Sequence, residues 1–173
     1  ATNKLKDYTM STLKNSNKKS LLLTGSRGIG KSTLFDQLIQ ELSVPVLRSF
    51  LVRDTKGQPS KVGMQPPENG FCFVAARRGN PRMEPCKWAF EQLAVSSVHQ
   101  LKSCSSPWVG IDEIGYLEEF VPCFQQAILQ LFENKRVIAV LRKEYTPFLQ
   151  QLFSRPDCLV VDLDILIQSQ KIV

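Results

Sequence analysis

The chain has a single histidine, five cysteines without a C-x-x-C pair, and no apolar run approaching the ~18 residues of a membrane span. Each shortage closes off a class of function. His99 falls in a stretch with helical patterning, far from any nucleophile signature, so neither a Ser-His nor a Cys-His machine has a base to build on. Cys72, Cys86, Cys104, Cys123 and Cys158 are too widely spaced for the usual zinc sites. Their odd number and the apolar neighbours Phe71 and Phe73 around Cys72 predict reduced, buried thiols in a cytoplasmic protein. The first 20 residues are polar and Lys-rich, with no apolar core and cleavage site, so neither a secretory leader nor a membrane partner is expected.

What remains is ordinary globular material. A chain of 173 residues, 43% hydrophobic and 22% charged, has room for one α/β core and too little for two. The net charge of +6 is uneven, with +4 in residues 1–19 (Lys4, Lys6, Lys14, Lys18 and Lys19 against Asp7) and +2 in the rest. That division predicts a flexible, basic segment over 1–19 and a single domain over 20–173. A solvated terminus explains the tail more simply than a nucleic-acid contact does.

The order of elements carries more information. SLLLT (20–24) is a short apolar strand that runs into a glycine-rich loop and then a helix over 32–42, with Leu34, Phe35, Leu38, Ile39 and Leu42 on one face. Residues 44–53 read as a second strand. Residues 54–70 hold six Gly and Pro, a turn-rich excursion with a short strand near 61–64 and the makings of a lid or substrate loop. A strand over 70–76, a helix over 84–101, a strand over 108–112, a helix over 118–133, a strand over 136–141, a short helix over 146–153 and a last strand over 159–163 follow. Strand and helix alternating in this way predict a three-layer α/β fold, a mostly parallel central sheet with helices on both faces.

Residues 25–32, Gly25-Ser26-Arg27-Gly28-Ile29-Gly30-Lys31-Ser32, fit G-x-x-x-x-G-K-[ST], between a strand and a helix as that pattern requires. The glycines free the backbone to turn successive N–H groups inward on phosphate oxygens, and the helix start adds its dipole. Lys31 is placed for the β- and γ-phosphates of ATP, GTP or another nucleoside triphosphate, and the Ser32 hydroxyl for Mg²⁺. Thr33 serves the helix start or the α-phosphate.

Such a loop needs an acid from a second strand, and Asp112-Glu113 closes the strand over 108–112. Asp112 is the candidate to hold Mg²⁺ through a water, and Glu113 the carboxylate to orient or deprotonate the attacking water. Arg142 follows the strand over 137–141 and is the first choice for the cation that meets charge developing on the transferred phosphoryl group, with Arg27 second. Arg77 and Arg78 suit either the nucleotide or a solvated turn, and Glu118 and Glu119 a helix N-terminus.

Taken together, LLLTGSRGIGKSTL, VGIDEIGYLEE and VIAVLRK resemble the P-loop nucleoside-triphosphatases known from thermophiles and, in humans, as cancer-related nucleoside-triphosphatase. The resemblance runs from about residue 20 to 164 and includes the Asp112-Glu113-Ile114-Gly115 segment. It implies a RecA-like sheet and Mg²⁺-dependent hydrolysis of the γ-phosphate with little base discrimination, with nucleotide kinase activity as a further option. The chain departs from it at Ser49-Phe50, where Gly-Phe is usual, and at Arg142-Lys143, where a histidine often begins the strand end. A nucleotide or small-molecule kinase, and a slow nucleotide-switched binding module, are the alternatives. The sequence carries no signal of oligomeric state.

Overall fold

Strand β1 (Ser20–Thr24) is buried at every residue because it packs on both faces. Leu21 and Leu23 point to one side, where they meet Leu34, Phe35 and Leu38 of helix α2 (Lys31–Leu42). Leu22 points to the other, into a larger cluster with Phe90, Phe124, Ile128 and Phe132. The period-two alternation of a strand thus divides three consecutive leucines between two cores. This is the helix, sheet, helix arrangement expected from the sequence. The computed structural model describes residues 2–169.

In chain order, helix α1 (Thr2–Ser16) precedes β1 and α2, and β2 (Val46–Arg53), β3 (Pro59–Gln65), β4 (Phe73–Arg77) and β5 (Glu84–Pro85) follow. A π-helical stretch (Ala89–Ala94) continues as α3 (Val95–Ser103), then β6 (Trp108–Ile114), a 3-10 turn (Tyr116–Phe120) and α4 (Pro122–Asn134). Strand β7 (Arg136–Leu141), α5 (Pro147–Phe153), β8 (Cys158–Asp162) and α6 (Leu163–Gln168) complete the described chain. The eight strands form one sheet in the order β5-β4-β3-β2-β6-β7-β1-β8. From β2 to β8 the pairing is parallel, and β3, β4 and β5 extend the β2 edge as an antiparallel meander.

Local chemistry sets the ends of the elements. Pro122 and Pro147 open α4 and α5, where a missing N–H costs nothing. Thr146 Oγ1 accepts from the Leu149 N–H at 3.3 Å, and the Asp162 carboxylate accepts from the Asp164 N–H at 3.0 Å, capping α5 and α6. At Gly110 on β6, a Cβ would come within 2.8 Å of Ile39 Cδ1 and 3.0 Å of Phe35 Cζ, so glycine lets α2 lie close on the sheet.

Three expectations are corrected and one is extended. Residues 2–16 are not a loose tail: Leu5, Thr9 and Leu13 recur every four residues on α1, and Leu13 is buried with Leu34 and Phe35 of α2. The short strand expected near 61–64 is present and longer, since Pro59–Gln65 pairs with β2 through six register positions. The helix expected over 84–101 starts later, since Glu84 and Pro85 pair with β4 first. Only Cys158 is buried among the five unpaired thiols, and Cys72 and Cys123 are exposed.

Candidate functional site

The carboxyl ends of the parallel strands converge on one rim. Register places Arg48, Asp112, Val140 and Leu23 side by side across β2, β6, β7 and β1. Neighbouring strands are about 4.8 Å apart, so Asp112 stands roughly 10 Å along the rung from β1, where the glycine loop begins. The rim therefore gathers the loop, the acidic pair after β6 and the basic pair after β7.

Within the loop, Gly28 (φ 78°) and Gly30 (φ 111°) hold left-handed conformations with open space where a Cβ would stand. The requirement is for the backbone and not for room, as a cradle of inward N–H groups needs. No side chain caps α2, whose first N–H groups remain directed at the loop's mouth. Lys31 Nζ donates to the Gly25 carbonyl at 2.8 Å, folding its charge over the loop. Ser26, Arg27, Ser32 and Thr33 are exposed.

Asp112 is 7% exposed, and burial pushes its carboxyl up to about 6, with Arg48 and Lys31 pulling down and Glu113 and Asp36 pushing up. Arg48 Nη1 meets Asp112 Oδ2 at 3.1 Å, while its Nη2 meets Asp36 Oδ1 at 2.9 Å. Burial also raises Glu113, against the opposing pull of Lys31, Arg142 and Arg27. Arg27, Glu113 and Arg142 line one cavity next to Asp112, and Lys31 pulls on both carboxyls. Among the described residues no cluster of three or more His, Cys, Asp or Glu could hold a metal alone. The donor set of one hydroxyl and one buried carboxylate suits Mg²⁺, which takes most of its ligands from phosphate and water.

Beyond Glu113 lies a cavity of about 550 Å³. Arg27, Glu113 and Arg142 line it together with Ser49 of β2, Val62 and Met64 of β3, and Tyr116 and Glu118 of the 3-10 turn. Arg82 stacks on the Tyr116 ring at 3.6 Å and Arg142 lies 5.4 Å from it, and both guanidinium groups reach Glu144, at 2.7 and 3.6 Å. Glu118 Oε2 accepts from the Gly115 N–H at 2.9 Å, and complete burial pushes this carboxyl to about 8. Glu119 caps a helix as expected, but a distant one, since its Oε1 accepts from Phe148 N–H in α5 at 2.6 Å. Arg78 is held by Asp54 at 2.6 Å.

Sequence reasoning missed two parts of the site. Arg48 is one of two arginines in the second strand, and nothing local in the sequence sets it apart from Arg53. Asp164 lies outside every motif, yet its carboxylate accepts from Ser26 N–H at 2.8 Å and Ser26 Oγ–H at 2.6 Å, tying α6 to the loop. Lys143 Nζ bridges Asp164 and Asp162, each at 3.0 Å.

The class that this rim defines is a nucleotide-binding α/β protein with a phosphate loop at the carboxyl edge of a largely parallel sheet. Residues 20–166 match the model of the NTPase family. The chain belongs to that family, and it is a nucleoside-triphosphate phosphohydrolase. Its fold is similar to that of THEP1 from the hyperthermophile Aquifex aeolicus, with a TM-score of 0.65 at 18% identity over 87% of this chain and 96% of that one. It is equally similar to a human cancer-related nucleoside triphosphatase, with a TM-score of 0.65 at 20% identity over 88% of this chain and 97% of that one. No curated protein matches the chain significantly.

Proposed function

We propose that the protein hydrolyses the γ-phosphate of nucleoside triphosphates in a Mg²⁺-dependent reaction with low base selectivity. The observation that carries this reading is the strand register that brings the start of the glycine loop after β1 and the Asp112-Glu113 pair of β6 to one rim. The loop N–H groups and the uncapped start of α2 bind the phosphates, and Lys31 exchanges the Gly25 carbonyl for the β- and γ-oxygens. Ser32 and Asp112 would hold Mg²⁺, which supplies charge neutralisation across those oxygens. Glu113, with its proton affinity raised by burial, takes the proton of the attacking water. Arg142 and Arg27 face the same carboxylate and are placed to meet the charge that grows on the departing phosphoryl group.

The sequence holds no Asn-Lys-x-Asp guanine reader, so no motif singles out guanine. A cytoplasmic setting accords with five unpaired thiols. Among the described residues no helix is long and apolar enough to cross a membrane.

Phosphate release from ATP and GTP tests the reading. Lys31→Ala and Glu113→Gln are each expected to lower kcat/KM by about a hundredfold or more, the loss typical of one electrostatic or general-base group. Full turnover in either folded variant would refute the assignment.

A further inference from the structure

Hydrolysis of the γ-phosphate gives Arg48 no task, yet three groups hold its guanidinium. Nη1 donates to Asp112 Oδ2 at 3.1 Å, Nη2 meets Asp36 Oδ1 at 2.9 Å, and Cζ lies 5.5 Å from the centroid of the Phe35 ring. Arg53 on the same strand serves its own turn instead, donating from Nη1 to the Gly57 carbonyl at 2.9 Å.

The convergence follows from register. Arg48 and Asp112 are partners across the parallel β2–β6 pair, so their side chains leave the sheet on one face. Helix α2 covers that face and brings Phe35 and Asp36 to it. Asp36 follows Ser32 by one helical turn, which makes the two neighbours on α2. The Arg48 bridge therefore joins the two elements that carry the ligands assigned to Mg²⁺, with one end on Asp112 itself and the other a turn from Ser32.

A buried carboxylate needs a countercharge, and a lysine would supply that much. Two carboxylates and a ring do more, because they fix the plane of the guanidinium and with it the carboxylate that it grips. Among the described residues the only hydrogen bond to the Asp112 carboxylate is the one from Arg48 to Oδ2, which leaves Oδ1 to water. The two carboxylates outnumber the one guanidinium, so the trio keeps a negative charge for a cation.

We propose that Arg48 is a positioning residue for the metal: it ties the Asp112 carboxylate to α2 and so keeps Asp112 and Ser32, the two protein ligands of Mg²⁺, in fixed relation. The inference rests on the triphosphate reading above and adds that metal affinity depends on a residue outside both motifs. Asp36 and Phe35 hold Arg48 independently of Asp112, so the bridge persists when the metal is bound.

Calorimetry of the full chain with a non-hydrolysable ATP analogue, once with Mg²⁺ and once with EDTA, measures the factor by which the metal tightens the nucleotide. Arg48→Met removes both tethers, Arg48→Lys keeps the charge but cannot span two carboxylates, and Asp36→Asn weakens the outer tether alone at an exposed site. In Arg48→Met the factor is expected to fall roughly tenfold or more, the usual loss for a residue that orients a metal ligand. Arg48→Lys is expected to recover little of it, and Asp36→Asn to lose a few-fold. Affinity in EDTA is expected to move much less than the factor in all three. A factor unchanged in Arg48→Met, with only a lower urea midpoint, would make Arg48 a prop of the fold and overturn the inference. Full recovery in Arg48→Lys also overturns it, since neutralisation would then suffice. A larger factor in Arg48→Met does the same, by showing that Arg48 competes with the metal for Asp112. An unchanged factor in Asp36→Asn overturns it even where Arg48→Met fails to fold. Wild-type protein that binds the analogue equally well in Mg²⁺ and in EDTA would sink the triphosphate reading along with this one.

Discussion

At the scale of single residues, the carboxyls on this rim are governed by desolvation. Glu118 is the extreme case: it is fully buried, accepts one backbone N–H from Gly115, and holds its proton up to about 8. Unfolding returns it to water, where a glutamic acid ionises near its ordinary 4.5. Between these values the folded state keeps a proton that the unfolded chain has lost, so stability falls as pH rises from about 4.5 to about 8 and levels off above. Glu118→Gln keeps the shape and removes the titration. Urea unfolding of the variant is therefore expected to lose that part of the decline, with the gain over wild type growing across this window. An identical pH profile in the two proteins would show Glu118 ionised in the fold. None of this was legible in the sequence, where Glu118 reads as a helix-start acid. Burial depends on what the rest of the chain places around a residue, and the 3-10 turn that folds Glu118 inward is set by its link to Gly115.

At the scale of elements, legibility followed whether the signal was local. Strand β1, helix α2 and strand β7 were read nearly to the residue, because each carries its own period and boundary residues. Helix α1 was not, since its lysines and polar residues dilute a face made of Leu5, Thr9, Met10 and Leu13. Helix α6 was missed because Asp162 is at once the last residue of β8 and the cap of the helix. That short helix presents Asp164 to the phosphate loop, a carboxylate where a polyanion is due to bind. Lys143 offsets it, bridging Asp162 and Asp164. Lys143→Ala is therefore expected to raise KM for ATP a few-fold with a smaller change in kcat, and more at low ionic strength than at high. Lys143→Ala with Asp164→Asn is expected to recover part of the loss, because the uncompensated charge is gone while the amide oxygen still accepts from Ser26. Equal KM values in wild type and the single variant at low salt would remove Lys143 from this role.

At the scale of the whole molecule, parallel pairing was legible from strand and helix alternation, but the sheet order was not. Strands β2 and β6 are neighbours although more than half a hundred residues separate them, and nothing local encodes that choice. The same long-range closure explains the basic N-terminus. Lys6 pairs with Glu41 at 3.3 Å, Lys18 Nζ donates to the Pro156 carbonyl at 2.6 Å, and Lys19 Nζ caps the end of α4 through the Phe132 and Glu133 carbonyls at 2.8 and 2.9 Å. Lys6, Lys18 and Lys19, expected from the sequence in a solvated terminus, are engaged within the fold. The Lys6–Glu41 pair ties α1 to the last turn of α2, about 15 Å along the helix from Lys31 at 1.5 Å per residue. Stability and nucleotide binding should therefore separate. Leu13→Ala removes a buried side chain from the α1–α2 seam and is expected to cost about 2–3 kcal/mol, the lower part of the range for such truncations because α1 lies at the periphery. Urea denaturation should show the lower midpoint with little change in slope, while the affinity for a non-hydrolysable triphosphate stays at the wild-type value. A Leu13→Ala protein as stable as wild type would mean that α1 is detached in solution. A matching loss of nucleotide affinity would mean that the seam transmits along α2 to the phosphate loop.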